Sequence, residues 1–365
     1  MPISPNPLVI RFGRLGDTIL LQPFLQKLHR RYGRPCHLLA LGDWPTALYS
    51  AQPEVAGFIR LSTQGGPLWL SPQRVAATLA LRAWRRSPVY VCEPGYRART
   101  KIRPMLALAG ISPERCSFIE DLPSVEHEHW VDWLWRFADV TPPAFDGVPA
   151  APLAPGLPAP WLRVSAVEHA DAEAWRRAHG ISDVPLVLLQ PANKRTMRWS
   201  GIRKAADDDK SWPIERWAAV ARTIAAELPQ AQVLFCGSTA EAAYLDTIVA
   251  AKAGASSRIA AAAQPLGRLK ALLANAHSMI SVDTGPAHLA AAVGCPLVVL
   301  MGARSPHMWK PRSASGSAVA LLGGLPAVQR VDQLQVEQVV DAWRSLPRQV
   351  PGRHAVAANQ SPTGS

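Results

Sequence analysis

Short apolar runs alternate along the first third of the chain with longer stretches whose apolar residues recur every three or four positions. The short runs predict buried strands, and the longer stretches predict amphipathic helices. The predicted strands are residues 8–12, 36–41, 57–61 and 89–92, and the predicted helices are residues 18–32, 72–85 and 100–109. Strands that alternate with helices in this way are typical of a parallel α/β sheet, so we expect an α/β domain here.

The same alternation returns in the second half of the chain and predicts a second α/β domain. Its predicted strands are residues 186–190, 232–237, 278–283 and 297–301, and its predicted helices are residues 214–228, 241–253, 266–275 and 287–293. A further amphipathic helix is predicted for residues 331–346.

Prolines mark the junction between the two predicted domains. They recur through residues 141–160, a composition typical of stiff, extended linkers. We therefore predict a first domain at residues 1–155 and a second at residues 156–346. Residues 347–365 are mostly small, polar or proline, and we predict a disordered tail there.

Length and composition support two globular domains. The chain has 365 residues, of which 48% are hydrophobic and 18% charged, and these values exclude an intrinsically disordered protein. The net charge of +12 favours a polyanionic partner: a nucleic acid, a phosphorylated glycolipid or a membrane surface. The five cysteines are scattered and include no C-x-x-C pair, which favours a reducing compartment over a disulfide framework or a zinc site.

The amino terminus does not resemble a secretory signal, and no apolar run is long enough to cross a bilayer. We therefore expect any membrane association to be peripheral, through charge or an amphipathic surface.

A glycine turn, Gly13-Arg14-Leu15-Gly16-Asp17, joins the first predicted strand to the first predicted helix. Ligands of open parallel sheets bind outside the carboxyl ends of the strands, so this turn is a candidate ligand site. Asp17 stands at the helix start, where its carboxylate either faces an inter-domain cleft or caps the helix, and the residues alone favour neither. The turn lacks the G-x-G-x-x-G order of a dinucleotide-binding fingerprint.

A second turn, Asp283-Thr284-Gly285-x-x-His288, follows another predicted strand. The first N–H groups and the positive dipole end of the next helix would suit a diphosphate. His288 lies one turn into that helix. It either donates to the same anion or is a half-buried helix histidine, and the residues alone slightly favour the latter.

Further candidates lie beside other predicted strand ends and helix starts. Lys210 offers either a cation for a leaving phosphate or a solvated lysine beside three aspartates. Glu241 would either accept from sugar hydroxyls or stabilise its own helix start. Basic residues also cluster between Arg82 and Arg103, where they hold anionic groups of an acceptor or form an ordinary solvated surface.

Four segments together resemble the bacterial heptosyltransferases of glycosyltransferase family 9 in order and spacing, over residues 8–345. These segments are Arg14-Leu15-Gly16-Asp17, Lys210-Ser211-Trp212-Pro213, residues 237–241 and the turn at 283–288. The resemblance implies a GT-B architecture, in which two Rossmann-like domains face each other across a cleft. It places the acceptor mostly on the N-terminal domain and the nucleotide-sugar on the C-terminal domain.

The resemblance also implies an inverting, metal-independent transfer of heptose, or a related sugar, from an ADP-sugar to the inner core of lipopolysaccharide or a similar anionic glycolipid. The enzyme would need no cofactor and no nucleic acid. It would be cytoplasmic and peripheral at the cytoplasmic face of the inner membrane.

Individual residues take roles from the same resemblance. Asp17 would be the general base that removes the proton of the acceptor hydroxyl, and Lys210 would stabilise the leaving phosphate. The donor would be bound by Asp283, Thr284, Gly285, His288, Glu241 and Lys194. The acceptor would be bound by Arg14, Gly16, Arg97, Arg99 and Lys101.

Three departures from the family pattern leave selectivity open. The polar stretch 195–209 is unusually long, which makes Lys194 and Lys210 alternative phosphate ligands. Pro286 replaces a more usual apolar residue, and residues 301–306 depart from a G-x-T-x-P loop.

Two other functions stay open on the sequence. A nucleotide-sugar epimerase of the same two-domain architecture would need no acceptor. A basic nucleic-acid-binding protein has less support, because the sequence contains no helix-turn-helix, RNP or zinc-finger pattern.

Overall fold

The computed structural model describes residues 5–62, 71–151, 156–198, 201–251 and 259–347. The tail predicted at 347–365 lies outside the described residues, apart from Pro347. The domain boundary predicted at 155/156 adjoins residues 152–155, which are also outside them, and stays a prediction.

A five-stranded sheet forms the centre of the first half within the described part of the chain, and all its neighbouring strands are parallel. Its strands are β1 (Leu8–Arg11), β2 (Cys36–Leu41), β3 (Val55–Leu61), β4 (Val89–Val91) and β5 (Cys116–Phe118), in the sheet order β3-β2-β1-β4-β5. The four strands predicted here are confirmed to within two residues at each end. The strand β5, whose three residues include a serine, was not predicted.

Helices pack on both faces of this sheet. Its helices are α1 (Leu15–Leu20), α2 (Gln22–Tyr32), α3 (Trp44–Tyr49), α4 (Pro72–Ala80), α5 (Arg103–Leu108) and α6 (Trp130–Phe137). Along β1, Val9 faces a core cluster with α2 and α6, whereas Leu8 and Ile10 face a second cluster with α4 and α5.

Three of these helices correct the sequence prediction in detail. The helix predicted at 18–32 begins at Leu15 and is divided at Leu21 into α1 and α2. The first part of the helix predicted at 72–85 is α4, and the rest is a 3₁₀ turn, Leu81–Trp84. The helix predicted at 100–109 is a π-helical turn, Ala98–Ile102, followed by α5.

The second half contains, among the described residues, a six-stranded sheet with the order β10-β9-β6-β11-β12-β13, again parallel throughout. Its strands are β6 (Leu186–Gln190), β9 (Gln232–Gly237), β10 (Ile259–Ala263), β11 (Ser278–Val282), β12 (Leu297–Met301) and β13 (Val319–Gly323), and a separate antiparallel pair is formed by β7 (Met197–Arg198) and β8 (Gly201–Ile202). The four strands predicted for this half are confirmed. The strands β10 and β13 occupy the two edges and were not predicted; β10 consists largely of alanine, which has a low β propensity.

The helices of this half are α7 (Ala166–Ala178), α8 (Ile214–Glu227), α9 (Ala242–Ala250), α10 (Leu266–Ala274), α11 (Gly285–Ala292), α12 (Pro306–Trp309) and α13 (Val336–Arg344). The predicted helix at 331–346 is shorter than expected, since α13 follows a separate 3₁₀ turn at Val331–Gln333. None of these helices, nor any other in the described ranges, is both long and apolar enough to span a bilayer.

The order of strands reverses once in each sheet, and these reversals locate the candidate ligand sites. The reversal lies between β1 and β4 in the first sheet and between β6 and β11 in the second. A crevice opens at the carboxyl ends of strands at such a reversal. Asp17 follows β1, and Asp283 follows β11, so both candidate turns stand at these positions.

The two halves meet where α1 packs against α11. A methyl group on Gly285 would lie 2.7 Å from Cδ2 of Leu15, and one on Gly16 would lie 3.0 Å from Cδ2 of His288. Each helix therefore needs a glycine to approach the other so closely. Outside this contact, Arg312 forms a bidentate ion pair with Asp132 across the halves at 2.6 and 2.7 Å.

The α1–α11 contact predicts that Gly285→Ala destabilises the protein although alanine is the better helix former. Overpacking typically costs about 1–3 kcal/mol, so we expect a lower midpoint of thermal unfolding. Shortening the opposing side chain in Leu15→Ala/Gly285→Ala should recover only part of this loss, because Cβ of residue 15 would still lie 2.8 Å from the new methyl group.

Gly267→Ala in α10 is the matched control, since its methyl group would lie 3.2 Å from Oε1 of Glu168, the end of a flexible side chain. Equal losses from Gly267→Ala and Gly285→Ala, or a double variant as unstable as Gly285→Ala, would contradict the packing argument.

Candidate active site

Asp17 lies at the start of α1 and is held by two neighbours. Its Oδ2 accepts from the backbone N–H of Arg14 at 2.8 Å, which closes a capping box, and its Oδ1 accepts from Nη2 of Arg11 at 2.7 Å. The side chain nevertheless keeps 23% of its accessible surface. Both alternatives weighed from the sequence therefore hold in part: Asp17 caps its helix and remains accessible.

Arg11 belongs to a buried ionic network that sequence analysis missed. Its Nη1 donates to Oε2 of Glu93 at 3.2 Å and to the carbonyl of Cys92 at 2.8 Å. Glu93 also accepts from Arg97 at 3.0 Å and from the backbone N–H of Phe12 at 3.0 Å. The side chain of Glu93 is only 4% exposed, so its charge depends on these partners.

One signal for this network was present in the sequence. Arg11 and Glu93 are charged residues at or just beyond the ends of two buried strands, β1 and β4, and these strands are neighbours at the reversal of the first sheet. Two opposite charges at adjoining strand ends are expected to pair, but the pairing of β1 with β4 has to be known first.

The pKa of the Asp17 carboxyl is lowered from its ordinary value. Burial raises this pKa, but the Arg11 guanidinium and the Arg14 backbone N–H outweigh burial and lower it. Asp17 is therefore a carboxylate at neutral pH. A lowered pKa also means that its contacts stabilise the fold above the unfolded-state pKa, and that this contribution is lost as the pH falls through the folded-state value.

Lys210 and Asp283 form the charged centre on the opposite side. The Lys210 ammonium donates at 2.6 Å both to Oδ2 and to the backbone carbonyl of Asp283. Asp283 is followed by the extended residue Thr284 and then by Gly285, where α11 begins. Lys210 is thus fixed beside the amino-terminal end of α11, where its charge is paired with that of Asp283.

His288 lies between these two groups. It is 6% exposed, and its Nδ1 has no hydrogen-bond partner among the described residues. Burial lowers the pKa of His288, opposed by Asp283 and Asp17 and assisted by Lys210. The ring is therefore neutral at pH 7 and stands against Gly16 of the opposite helix.

The structure thus brings several predicted residues to one place. Asp17 and Gly16 on α1 face His288 and Gly285 on α11, and Lys210 joins them through Asp283. These residues come from three regions of the sequence, and together they bring one accessible carboxylate and one ammonium group to the contact between the two halves.

Lys194 is not part of this centre. Its side chain is exposed, whereas Lys210 is fixed to Asp283. The stretch 195–209, of which 199–200 lie outside the described residues, is anchored at both ends. Arg195 pairs with Asp208 at 2.7 Å and with Asp209, and Asp208 also accepts from Asn193 at 2.7 Å.

Glu241 is occupied by its own turn. Its Oε2 accepts from the backbone N–H of Ser238 at 2.7 Å and from the Ser238 hydroxyl at 3.0 Å, a capping box at the end of β9. Glu241 therefore stabilises its own helix start. Its other carboxylate oxygen, Oε1, remains available to a ligand at the carboxyl end of β9.

The basic acceptor candidates lie just after β4. Arg97 is anchored by Glu93 at 3.0 Å and by the carbonyl of Phe12 at 3.3 Å, which places it beside the network of Arg11. Arg99 is exposed and Lys101 is half-buried on the π-helical turn. Arg14 is exposed next to Asp17.

His129 joins the two halves near this site and was not predicted. Its Nδ1 accepts from the backbone N–H of Val131 at 3.1 Å, so Nε2 carries the proton and donates to the carbonyl of Lys310 at 2.9 Å. Burial lowers the pKa of His129 to about 4. The neutral ring caps α6 and ties it to the segment that follows α12.

Comparison with known proteins relates this arrangement to one family. Residues 172–338 match the family model described as glycosyltransferase family 9 (heptosyltransferase). Lipopolysaccharide heptosyltransferase 2 of Escherichia coli strain K12 is 25% identical over 336 residues, which are 89% of this chain and 90% of that protein. The protein of the same name from Salmonella typhimurium is 25% identical over 339 residues, 90% of this chain and 91% of that protein.

Solved structures share the two-domain fold. E. coli ADP-heptose LPS heptosyltransferase II is 20% identical and superposes with a TM-score of 0.69, over 93% of this chain and 98% of that one. A family 9 glycosyltransferase from Veillonella parvula is 17% identical with a TM-score of 0.69, over 94% and 98%. E. coli heptosyltransferase WaaC with ADP is 16% identical with a TM-score of 0.61, over 93% and 99%. The α/β fold with two facing Rossmann-like domains is thereby confirmed.

The contact between Arg11 and Asp17 predicts that Arg11→Met raises the pKa of the Asp17 carboxyl, because burial is then opposed by the Arg14 N–H but not by the guanidinium. The measurement is a pH titration of the carboxyl carbon resonance of Asp17 in protein labelled at aspartate. Arg11→Lys, which keeps a positive charge, should shift this pKa less.

Arg103→Met is the matched control, since Arg103 pairs with Glu120 in the same half and does not contact Asp17. An Asp17 resonance that titrates at the same pH in Arg11→Met and in the unaltered protein would show that Arg11 does not set the ionisation of Asp17.

Proposed function

We propose that this chain, whose residues 172–338 match the model of glycosyltransferase family 9, transfers heptose from an ADP-activated donor to a lipopolysaccharide inner core or similar anionic glycolipid. The observation that carries the proposal is the position of Asp17 opposite the Lys210–Asp283 pair, across the contact between α1 and α11. One side offers an accessible carboxylate, and the other offers a cation beside a helix amino terminus.

The proposed reaction is a single displacement with inversion. The acceptor hydroxyl attacks the anomeric carbon of the donor while the bond from that carbon to the diphosphate oxygen breaks, and ADP leaves. The hydroxyl proton passes to the Asp17 carboxylate. Asp17 is ionised at neutral pH and can accept this proton, and its weak basicity suffices because the hydroxyl becomes more acidic as its oxygen bonds to carbon.

Lys210 would stabilise the negative charge that develops on the departing diphosphate. The backbone after Asp283 and the amino-terminal end of α11 would face the phosphates, and the Lys210 ammonium, held by Asp283, would lie beside them. Because the ammonium is fixed in place before the reaction, it needs little reorganisation as negative charge grows. This fixed positive charge is the reason we propose that the transfer requires no metal ion.

His288 and the glycines shape the same site. A neutral His288 can donate to a phosphate oxygen without adding a second full charge beside Lys210. Thr284 and Gly285 present backbone rather than bulk to the donor, and Oε1 of Glu241 would accept from hydroxyls of its nucleotide or sugar.

The acceptor would approach from the N-terminal half. Arg14, beside Asp17, and Arg97, Arg99 and Lys101, after β4, would bind its phosphate or carboxylate groups. The curated relatives are named lipopolysaccharide heptosyltransferases, and the +12 net charge suits such an acceptor. We place the enzyme in the cytoplasm, peripherally at the cytoplasmic face of the inner membrane.

The proposal is tested by titrating the protein calorimetrically with ADP, UDP and GDP in the presence of EDTA, and then by following ADP release from ADP-heptose with and without a heptose-free core acceptor. Selective ADP binding and acceptor-dependent release support it. Conversion of the donor to an epimer without any acceptor would establish the epimerase instead, and the absence of nucleotide binding would refute both enzymes.

Asp17→Asn tests the proposed base. The amide keeps the size of the side chain and can still accept from the Arg14 N–H, but it cannot take up a proton. We expect kcat to fall by about 10²- to 10⁴-fold with ADP affinity little changed, and the midpoint of thermal unfolding to fall slightly because the ion pair with Arg11 is lost. Asp43→Asn, at an exposed carboxylate of the same half, should leave the rate unaltered. Full turnover by Asp17→Asn would refute the assignment.

Lys210→Ala tests the proposed stabilisation of the leaving group, with Lys194→Ala as the comparison. We expect Lys210→Ala to lower kcat by about 10²- to 10³-fold, because the ammonium contacts the charge that develops in the transition state. Lys194→Ala should cost much less, since its side chain points to solvent. The reverse order of effects, measured as single-turnover rates, would assign the leaving group to Lys194.

A further inference from the structure

One face of the N-terminal half differs from the rest of the surface. It is formed by α4, the 3₁₀ turn Leu81–Trp84, the π-helical turn Ala98–Ile102 and α5, which pack side by side on the first sheet. We call this surface the α4–α5 face. Its inward residues, such as Leu81 and Met105, belong to the core, so its outward residues are left to meet solvent or a partner.

The outward residues of the α4–α5 face are apolar at its centre. Val75 and Leu79 lie one helical turn apart on α4 and are 39% and 51% exposed, and Leu108 on α5 is 61% exposed. With Tyr96 they are four of the ten large apolar side chains that are exposed among the described residues. Three of the ten thus lie on α4 and α5, and Tyr96 comes just before the π-helical turn.

Arginines surround these apolar side chains. Residues 71–111 contain eight arginines and lysines against one carboxylate, Glu93, which is buried in the network of Arg11. Among the eight, Arg97 pairs with Glu93, and Arg103 pairs with Glu120 from outside this range. The outward guanidinium groups of Arg82, Arg86 and Arg99 form no ion pair with any carboxylate in the described ranges. The face therefore presents positive charge that the protein does not neutralise.

Two arginines on helices of the second half show a contrast with these three. On α13, Arg344 pairs with Glu227 at 2.5 Å and with Asp341 at 2.8 Å, and on α10, Arg268 pairs with Asp171 at 2.8 Å. The charges of Arg344 and Arg268 are therefore compensated by neighbouring carboxylates.

We propose that the α4–α5 face is the surface by which this protein docks on an anionic lipid bilayer. Leu79 and Leu108, with Val75, would enter the headgroup boundary, and Arg82 and Arg86 would contact lipid phosphates, while Arg99 would remain with the acceptor headgroup. Charge complementarity carries the choice of partner: an apolar centre within unneutralised arginines matches the acyl boundary within its layer of phosphates.

The docking rests on the proposed function in one respect, because a membrane-bound acceptor must reach Asp17. The α4–α5 face extends to the rim of the site at Arg97, which shares Glu93 with Arg11, the neighbour of Asp17. A glycolipid whose acyl chains lie in the docked bilayer would thus present its headgroup at the acceptor side of the site.

The test is co-flotation of the full chain with vesicles of phosphatidylcholine alone and with vesicles that also contain phosphatidylglycerol. We expect binding to the anionic vesicles, weakened by salt. Arg82→Gln/Arg86→Gln and Leu79→Ser/Leu108→Ser should each lower the partition coefficient by about tenfold.

Matched controls come from the second half. Arg177→Gln/Arg222→Gln removes two exposed arginines, and Val167→Ser removes an apolar side chain that is 79% exposed. Neither should change vesicle binding. Equal losses from control and test variants, or no binding to anionic vesicles, would overturn the proposal. Tight binding to a short single-stranded or duplex nucleic acid would also overturn it, if Arg82→Gln/Arg86→Gln abolishes that binding while vesicle binding persists.

A second readout separates this inference from the proposed function. ADP release with a water-soluble acceptor that carries no acyl chains should be unaltered in Arg82→Gln/Arg86→Gln and in Leu79→Ser/Leu108→Ser. If the unaltered protein releases ADP normally but does not bind vesicles, the docking surface is refuted and the proposed transferase activity stands. If it binds vesicles but does not release ADP, the transferase activity is refuted and the docking surface stands.

Discussion

The close approach of α1 to α11 is the contact on which the candidate site depends. Each helix begins directly after a strand of its own sheet, and each carries a glycine, Gly16 or Gly285, where the other helix meets it. A side chain at either position would push the helices apart. Since α1 carries Asp17 and α11 follows Asp283, this packing sets the separation between the proposed base and the proposed phosphate site. A positional requirement of catalysis is thereby met by van der Waals contact between two short helices.

Burial at this contact disfavours the charged forms of the side chains there, and neighbouring opposite charges offset this cost. An isolated buried carboxylate would take up a proton, and an isolated buried guanidinium would be costly. Here charges alternate from Arg97 through Glu93 and Arg11 to Asp17, with each pair within 3.2 Å. The alternation keeps Asp17 ionised without surrounding it by water. On the other side, Lys210 and Asp283 compensate each other in the same way, and the neutral His288 separates the two ionic groups.

Local patterns in the sequence predicted the strands that are apolar runs and the turns that carry glycine, and they failed where structure depends on partners far along the chain. The turns at Asp17 and Asp283 were recognisable because glycine and polar residues follow apolar runs. The strand β5, with three residues, and β10, composed largely of alanine, are recognisable only through the neighbouring strands that pair with them. Arg11 and Glu93 lie 82 positions apart, so no local pattern links them. Gly285 was predicted from the needs of a diphosphate, whereas the structure shows in addition that Leu15 requires it.

The strand β4 connects the two surfaces that the proposed reaction needs. Its carboxyl end leads to Glu93 and Arg97 at the rim of the site, and the chain then continues into the π-helical turn and α5, which form part of the α4–α5 face. Because one short segment supplies both, the acceptor side of the site and the α4–α5 face cannot move far relative to each other. An enzyme that draws its acceptor from a bilayer gains from this arrangement, since docking then orients the reacting hydroxyl as well as concentrating it. The proposed donor site lies in the second half, and the contact between α1 and α11 sets its position relative to the acceptor side.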